Sequence, residues 1–381
     1  MSKVKPLKTA IIGCGMICDS YFEPIIKNFS VLDIVGCADM IDSKAAEKAE
    51  KYNIKKMTVD EILADSEIEL VLNLTYALSH FEISKAVLNA KKHLYCEKMM
   101  GINMQQADEL MALAKEKNVR FAVAPDTFLG ASMQTARFVI DSGLIGEPIF
   151  ADIKLARGYH MVKNDDEDAR RLFSVMRPGG GIPYDMGGYY LHTLFNLFGS
   201  VNRASGFCFT KDQSRPYLNP RHSKFGENFF VDTPNTLVAA LEFDCGFHAT
   251  MAMSSECFGD NNSFEIIGTD GILDVGDPNH FGKPLYIKRK GEERTLFPFT
   301  HPYSEQSRGI GAAELGWSIR KGRTQRLIPE MGYHALEIIE AMRECTKDNK
   351  VKTFNTKFKR PAALSSHWYE NPETQELILA E

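Results

Sequence analysis

This chain has no apolar stretch long enough to span a bilayer, which takes roughly 18 or more residues. Its eight cysteines form no Cys-x-x-Cys pair and keep no regular spacing. That excludes a disulfide scaffold and a zinc ribbon, and leaves free buried thiols in a reducing cytosol as the economical reading. The histidines are scattered, and none forms the i,i+4 pair with a third ligand nearby that a metal site uses, so no metal is expected. A concentrated basic face is missing too. The net charge is -5 with Lys and Arg dispersed, so nucleic acid is not an expected partner. Residues 1–8 are polar and basic, but the apolar run behind them is short. It reads as a first strand and not as a signal peptide. A cytoplasmic protein with no membrane partner is expected. Internal repeats and low-complexity segments are also lacking.

What is present is ordinary globular composition, 44% apolar and 25% charged. A chain of 381 residues is too long for most single cores and suggests two domains, 1–125 and 126–381. In the first, apolar runs at 9–13, 31–38, 69–75, 93–96 and 120–124 alternate with helical patterns at 16–28, 42–52, 79–90 and 104–117. A short acidic helix at 58–65 opens on Thr58, with Glu61 three residues on as a capping box. This alternation predicts an α/β fold whose parallel sheet is covered on both faces. After Pro125-Asp126, a helix at 131–142 precedes a strand at 149–157. Strand-like runs at 201–210, 236–243, 247–255, 263–267, 284–288 and 295–298 then follow without crossover helices. They predict a second α/β domain with a large, mainly antiparallel open sheet. Helices return at 188–198 and 330–345, and the polar segment 158–180 has the texture of a functional loop.

The first strand runs into Gly13-Cys14-Gly15-Met16-Ile17-Cys18, and Asp39 closes the second. In Gly13-x-Gly15 the first glycine permits the tight turn and the second lets the backbone approach a pyrophosphate at the helix start. Cys18 occupies the usual third glycine position and is small enough for close helix–strand packing. Asp39 can accept from the ribose hydroxyls and would repel a 2′-phosphate. No arginine follows at 40–43, so NAD is favoured over NADP. The third strand ends Asn73-Leu74-Thr75, followed by Tyr76 and His80. Residues just past the strand ends line the ligand crevice, which places Thr75 and Tyr76 near the nicotinamide half. His80, in the next helix's first turn, is read as either a cofactor contact or a structural hydrogen-bonder.

The fourth strand ends at Glu97-Lys98, at the mouth of the same crevice. An ammonium there can stabilise the alkoxide that appears as hydride leaves. If desolvation lowered its pKa it could also act as a base. Glu97 could orient Lys98 or the nicotinamide ribose. A second constellation runs Gly179-Gly180-Gly181-Ile182-Pro183-Tyr184-Asp185-Met186-Gly187-Gly188-Tyr189-Tyr190-Leu191-His192. Its three glycines give a backbone able to press against a ligand. With a helix starting near Asp185, Asp185, Tyr189 and His192 share one face. The bland alternative is that Asp185 is an N-cap and His192 a satisfied core histidine.

These motifs together resemble the Gfo/Idh/MocA family, the glucose-fructose oxidoreductase and inositol dehydrogenase group. The resemblance covers nearly the whole chain. It rests on Gly-Cys-Gly-Met-Ile at 13–17, residues 75–80, Glu97-Lys98, Gly-Leu-Ile-Gly-Glu-Pro at 143–148 and the 179–189 stretch. It implies a Rossmann dinucleotide domain followed by an α/β domain whose open sheet often forms a subunit interface, hence a homodimer or homotetramer. Lys98 matches the lysine of the family's Glu-Lys-Pro signature, with Met99 in place of the proline. Asp185 matches the first acid of the Asp-x-Gly-x-His motif. Tyr189 stands where many members carry a catalytic histidine, as in glucose-fructose oxidoreductase and dihydrodiol dehydrogenase, which also use tyrosine. His192 replaces an acid or amide.

The resemblance therefore implies NAD(P)-dependent hydride transfer between nicotinamide C4 and a secondary hydroxyl of a sugar, inositol or related polyol. Tyr189 is the expected acid–base, its phenolate favoured by Lys98. Asp185 and His192 are expected to orient the polyol, and Arg157, Tyr159 and His160 follow a strand that reaches towards the pocket. Gly13, Gly15, Met16, Ile17, Asp39, Thr75, Tyr76, His80, Glu97 and Lys98 form the expected cofactor set. Asp126 reads as structural, and Ser307-Arg308-Gly309 as polar enough to border a pocket. The alternatives are a sugar- or glycoside-processing enzyme with tightly bound NAD, a trans-dihydrodiol or carbonyl dehydrogenase, and a non-catalytic nucleotide sensor.

Overall fold

The computed structural model describes residues 4–158, 177–217, 220–257, 260–366 and 376–381. The first sheet is built from β1 (Leu7–Ile12), β2 (Leu32–Ala38), β3 (Lys55–Lys56), β4 (Leu70–Asn73), β5 (His93–Cys96) and β6 (Phe121–Val123). All pairings are parallel, in the order β3-β2-β1-β4-β5-β6. The near-continuous burial of β1, β4 and β5 is what a sheet sandwiched between helices demands. The crossovers are α1 (Asp19–Asn28), α2 (Asp42–Tyr52), α3 (Val59–Ala64), α4 (Ala77–Asn89) and α5 (Met104–Lys117). The Thr58–Glu61 capping box forms, satisfying two otherwise orphaned amides at the start of α3. Only the two-residue edge strand β3 escaped the sequence reading, being too short to show a period.

A 3-10 turn (Thr127–Leu129) and α6 (Ala131–Asp141) lead into β7 (Pro148–Gly158). β7 lies central in a nine-stranded sheet, flanked on one side by β12 (His248–Cys257), β11 (Thr236–Phe243), β8 (Val201–Phe209) and β17 (Lys352–Thr353). On the other side lie β13 (Asn261–Gly268), β14 (Gly271–Asp274), β15 (Leu285–Arg289) and β16 (Thr295–Phe297). Only the β7–β12 pairing is parallel, so the expectation of a large, mainly antiparallel sheet holds. A separate hairpin joins β9 (Ser214–Pro216) to β10 (Asn228–Phe230).

Helices α7 (Ile182–Phe198) and α9 (Pro329–Asp348) cover one face of this sheet. The alternating burial of β11 and β12 records the other, open face. α8 (Ile310–Lys321) turns back onto the first sheet, against β5 and β6. The last helix, α10 (Leu377–Ala380), packs on α8. There Glu376 accepts from the amides of Ser30 and Val31, from Ser30 Oγ and from Trp317 Nε1 at 2.7–3.0 Å.

One expectation needs correction. α7 begins at Ile182 and not near 188 or Asp185, with Gly181 before it and Pro183 in its first turn. The glycines ahead of it serve backbone packing: Gly181 has φ +84°, and a Cβ there would lie 2.3 Å from the Pro234 carbonyl oxygen. Gly181 packs on residues 233–234, and Gly179 packs on Ile102. Among the described residues, no helix is long and apolar enough to cross a membrane, and no three potential metal ligands converge.

Candidate active site

The carboxyl ends of β1, β2, β4 and β5 meet at one edge of the first sheet. Gly13, just past β1, has φ +106°, and a Cβ on it would lie 2.6 Å from the Leu74 carbonyl carbon. Only glycine fits this contact between neighbouring strand ends. Beside it, a Cβ on Gly15 would meet nothing within 4 Å. The amides of Gly15, Met16 and Ile17 have no acceptor among the described residues. Open space against unpaired amides at the start of a helix is what a pyrophosphate requires. Met16 is exposed over this turn, while Cys18 is fully buried beneath it. Asp39 is oriented by its backbone: Oδ2 accepts from the Cys14 amide and Oδ1 from the Ile41 amide, both at 2.8 Å. The residues present therefore fit a dinucleotide.

Thr75 and Tyr76 border the crevice, with Tyr76 43% exposed. His80 is placed differently, at 1% exposure. Its Nδ1 faces the Met99 carbonyl at 2.8 Å and its Nε2 the Thr75 carbonyl at 2.9 Å. It ties together the two loops that frame the crevice and has no nitrogen left for a ligand. Burial lowers its pKa, against the pull of those two carbonyls.

Lys98 projects from the end of β5 towards α7. Its Nζ donates to Asp185 Oδ1 at 2.8 Å and to the Asp185 carbonyl at 2.9 Å, and lies 5.3 Å from the centre of the Tyr189 ring. Asp185 and Tyr189, one helical turn apart, thus converge on the lysine as their spacing implied. Desolvation pushes the Lys98 pKa down, but the Asp185 and Glu97 carboxylates push it up by more. The net direction is upward, which overturns the idea of a desolvated lysine base: this group stays an ammonium. Glu97, 8% exposed, accepts from Tyr21 Oη at 2.5 Å and from the Lys98 amide at 3.0 Å, so it positions the lysine-bearing loop.

Tyr189 is 6% exposed, and Arg308 Nη2 reaches its hydroxyl at 3.4 Å. Burial raises its pKa, and Lys98 and Arg308 only partly oppose that. The expected phenolate is therefore not the resting form; the buried tyrosine holds its proton. Asp126 is structural: it is 1% exposed, and Oδ2 accepts from the Gly309 and Gly311 amides where α8 starts.

His192 does not join this cluster. It is 1% exposed, its Nδ1 contacts the Pro125 carbonyl at 3.1 Å, and the rings of Phe128 and Phe195 flank it. Burial depresses its pKa to about 4, so it is a neutral core histidine. Sharing a face was insufficient: its ring turns to the Pro125 carbonyl and not to Lys98, Asp185 or Tyr189. Arg157 continues the inward row of Ala151, Ile153 and Leu155 on β7 and acts electrostatically on Tyr190. Tyr159 and His160 lie outside the described residues.

Sequence reasoning missed Tyr21 under Glu97 and Asn279 beside Arg308, and took Arg308 no further than a pocket border. The one available signal was an arginine directly before a helix start, in a polar stretch with no other evident purpose.

A doubly wound parallel sheet with an open glycine turn and a backbone-oriented acid at adjacent strand ends defines a dinucleotide-binding protein. The chain belongs to the GFO/IDH/MocA oxidoreductase family: residues 7–124 match its NAD-binding Rossmann-fold domain and residues 133–274 its C-terminal domain. An uncharacterised oxidoreductase of Schizosaccharomyces pombe is 32% identical over 217 residues, 55% of this chain and 57% of that one. The chain thus spans little more than half the length of that curated relative. The trans-1,2-dihydrobenzene-1,2-diol dehydrogenase of Bos taurus is 24% identical over 311 residues, 80% of this chain and 84% of its own. Levoglucosan dehydrogenase in complex with NADH and L-sorbose shares the fold. Its TM-score is 0.76 at 19% identity, over 92% of this chain and 99% of that one.

Proposed function

We propose that this protein is an NAD-dependent dehydrogenase that moves a hydride to or from the carbinol carbon of a sugar, inositol or related polyol. The observation that carries the reading is the convergence of Lys98, Asp185 and Tyr189 at the carboxyl edge of the sheet that also carries the glycine turn. Gly13, Gly15, Met16, Ile17, Asp39, Thr75 and Tyr76 would hold the dinucleotide, with Glu97 and His80 fixing the loops around it. Bound nicotinamide supplies the hydride acceptor at C4.

The chain's own residues manage charge and protons. The Lys98 ammonium stabilises the alkoxide form of the reacting hydroxyl. Tyr189 Oη exchanges the hydroxyl proton, and because burial keeps it protonated it is ready as an acid for carbonyl reduction. In the oxidation direction it must first lose that proton. Asp185 holds Lys98 in place and keeps it charged.

A second reading, oxidation of a trans-dihydrodiol, is favoured by Tyr189 and by the likeness to the bovine diol dehydrogenase. A panel of sugars, inositols, cyclic diols and glycosides with NAD and NADP, followed by nicotinamide absorbance, tests both. Turnover confined to the diols would replace the polyol reading, and no turnover with any member would remove it.

Assembly belongs to the same proposal. The open face of the large sheet exposes Phe150, Phe207, Phe209 and Val238. Such a patch suits a second copy, giving a homodimer or homotetramer. Light scattering that reports a monomer would overturn this part. A cytoplasmic setting is proposed from the cysteines, all eight of which are free.

A further inference from the structure

Arg308 is half-buried and is paired unlike Arg137, Arg320 and Arg326. Arg137 meets Asp141 and Arg320 meets Glu69, each at 2.6 Å, and Arg326 meets Glu314 at 3.5 Å. Arg308 instead donates to three neutral groups: Asn279 Oδ1 at 2.7 Å, Gln306 Oε1 at 3.1 Å and Tyr189 Oη at 3.4 Å. Among the described residues no carboxylate lies within ion-pair distance of it. Asp126, the acid whose field reaches it, uses Oδ2 on the Gly309 and Gly311 amides. Glu97 is turned to Tyr21, and Asp185 to Lys98. A guanidinium withdrawn from water is ordinarily matched by an anion. Here the position for that anion is beside the hydroxyl of Tyr189, where a substrate would sit.

We propose that Arg308 binds a carboxylate of the substrate, so that within the polyol class the alcohol belongs to a polyhydroxy acid such as an aldonate or uronate in preference to its neutral counterpart. This rests on the dehydrogenase reading above and narrows its substrate class. The 3.4 Å between Arg308 Nη2 and Tyr189 Oη places the carboxylate within one or two carbons of the carbinol. The guanidinium fork matches both oxygens of such a group, which an ammonium would not. In the reaction, the carbinol C–H bond breaks with hydride passing to NAD. The O–H proton leaves through Tyr189 to solvent, the C=O bond forms, and the carboxylate is unchanged.

The test compares matched pairs with NAD: D-gluconate against D-glucitol, and D-glucuronate against D-glucose. Calorimetric binding of each to the NADH-loaded protein accompanies the kinetics. The acid of a pair should exceed its neutral partner by about 100-fold in kcat/KM, as expected where a site is built around a polar group. Arg308→Gln should collapse that ratio to within a few-fold, with NADH affinity reporting that the protein is still folded. Neutral members used as well as the acids, or a ratio unchanged in Arg308→Gln, would overturn the proposal and leave the dehydrogenase reading intact. If NADH binds but no alcohol of either kind is bound or oxidised, the dehydrogenase reading itself fails.

Discussion

Lys98 and Asp185 meet across the two halves of the chain, ammonium to carboxylate at 2.8 Å. One comes from the end of a Rossmann strand, the other from the first turns of the helix that follows the glycine stretch. Lys98→Met should lower turnover by about 1,000-fold, the scale of losing one preorganised charge stabiliser. NADH affinity, read by fluorescence titration, should change little. In Asp185→Asn the main upward influence on the lysine disappears and burial takes over. The alkaline limb of the reduction profile should then move to lower pH.

Tyr189 gives a directional pH prediction. Burial holds its pKa above the ordinary tyrosine value of 10.0. Oxidation needs the deprotonated form, so its kcat/KM should keep rising with pH up to that value. Reduction needs the protonated form and should stay flat over the same range. Tyr189→Phe should remove the dependence and cost about 100-fold or more. A plateau in oxidation near neutrality would contradict this assignment.

At the end of β2, Asp39 is held by the amides of Cys14 and Ile41. Asp39→Ala should weaken NAD binding by about 10- to 100-fold, the worth of charge-assisted hydrogen bonds, and narrow the preference against NADP. Titration with both dinucleotides measures this directly. An unchanged NAD affinity would mean that the carboxylate serves only the glycine turn.

Glu376, 4% exposed, accepts four hydrogen bonds from Ser30, Val31 and Trp317. Glu376→Ala strands those donors and should destabilise the protein by about 3 kcal/mol. Denaturant unfolding followed by tryptophan fluorescence is the measurement.

The first sheet was legible in the sequence because its strands and helices each carry a clear period and short joins. Where the reading erred, tertiary context had overruled local pattern. Pro183 and the glycine pair at 187–188 hid the start of α7, whose stability comes from packing between α9, the sheet and Pro125. Helical spacing brought Asp185 and Tyr189 together correctly but could not register that His192 turns to the Pro125 carbonyl between the Phe128 and Phe195 rings. The states of Lys98 and Tyr189 turn on which of burial and neighbouring charge is larger, a balance that no motif encodes. Arg308 arrives from more than a hundred residues beyond Tyr189, so only the folded chain shows the two as neighbours.

The way α8 and the Glu376 latch return to the first sheet changes what a domain boundary at 125 means. Arg320 on α8 pairs with Glu69 and caps the carbonyls of Lys5 and Pro6, while Glu376 fastens the turn before β2. The nucleotide-binding half is therefore completed by segments that lie some two hundred residues beyond its own boundary. A fragment cut at the motif boundary would expose the apolar seat of α8 along β5 and β6. A chimera that exchanges this half between relatives must carry its distant C-terminal pieces with it.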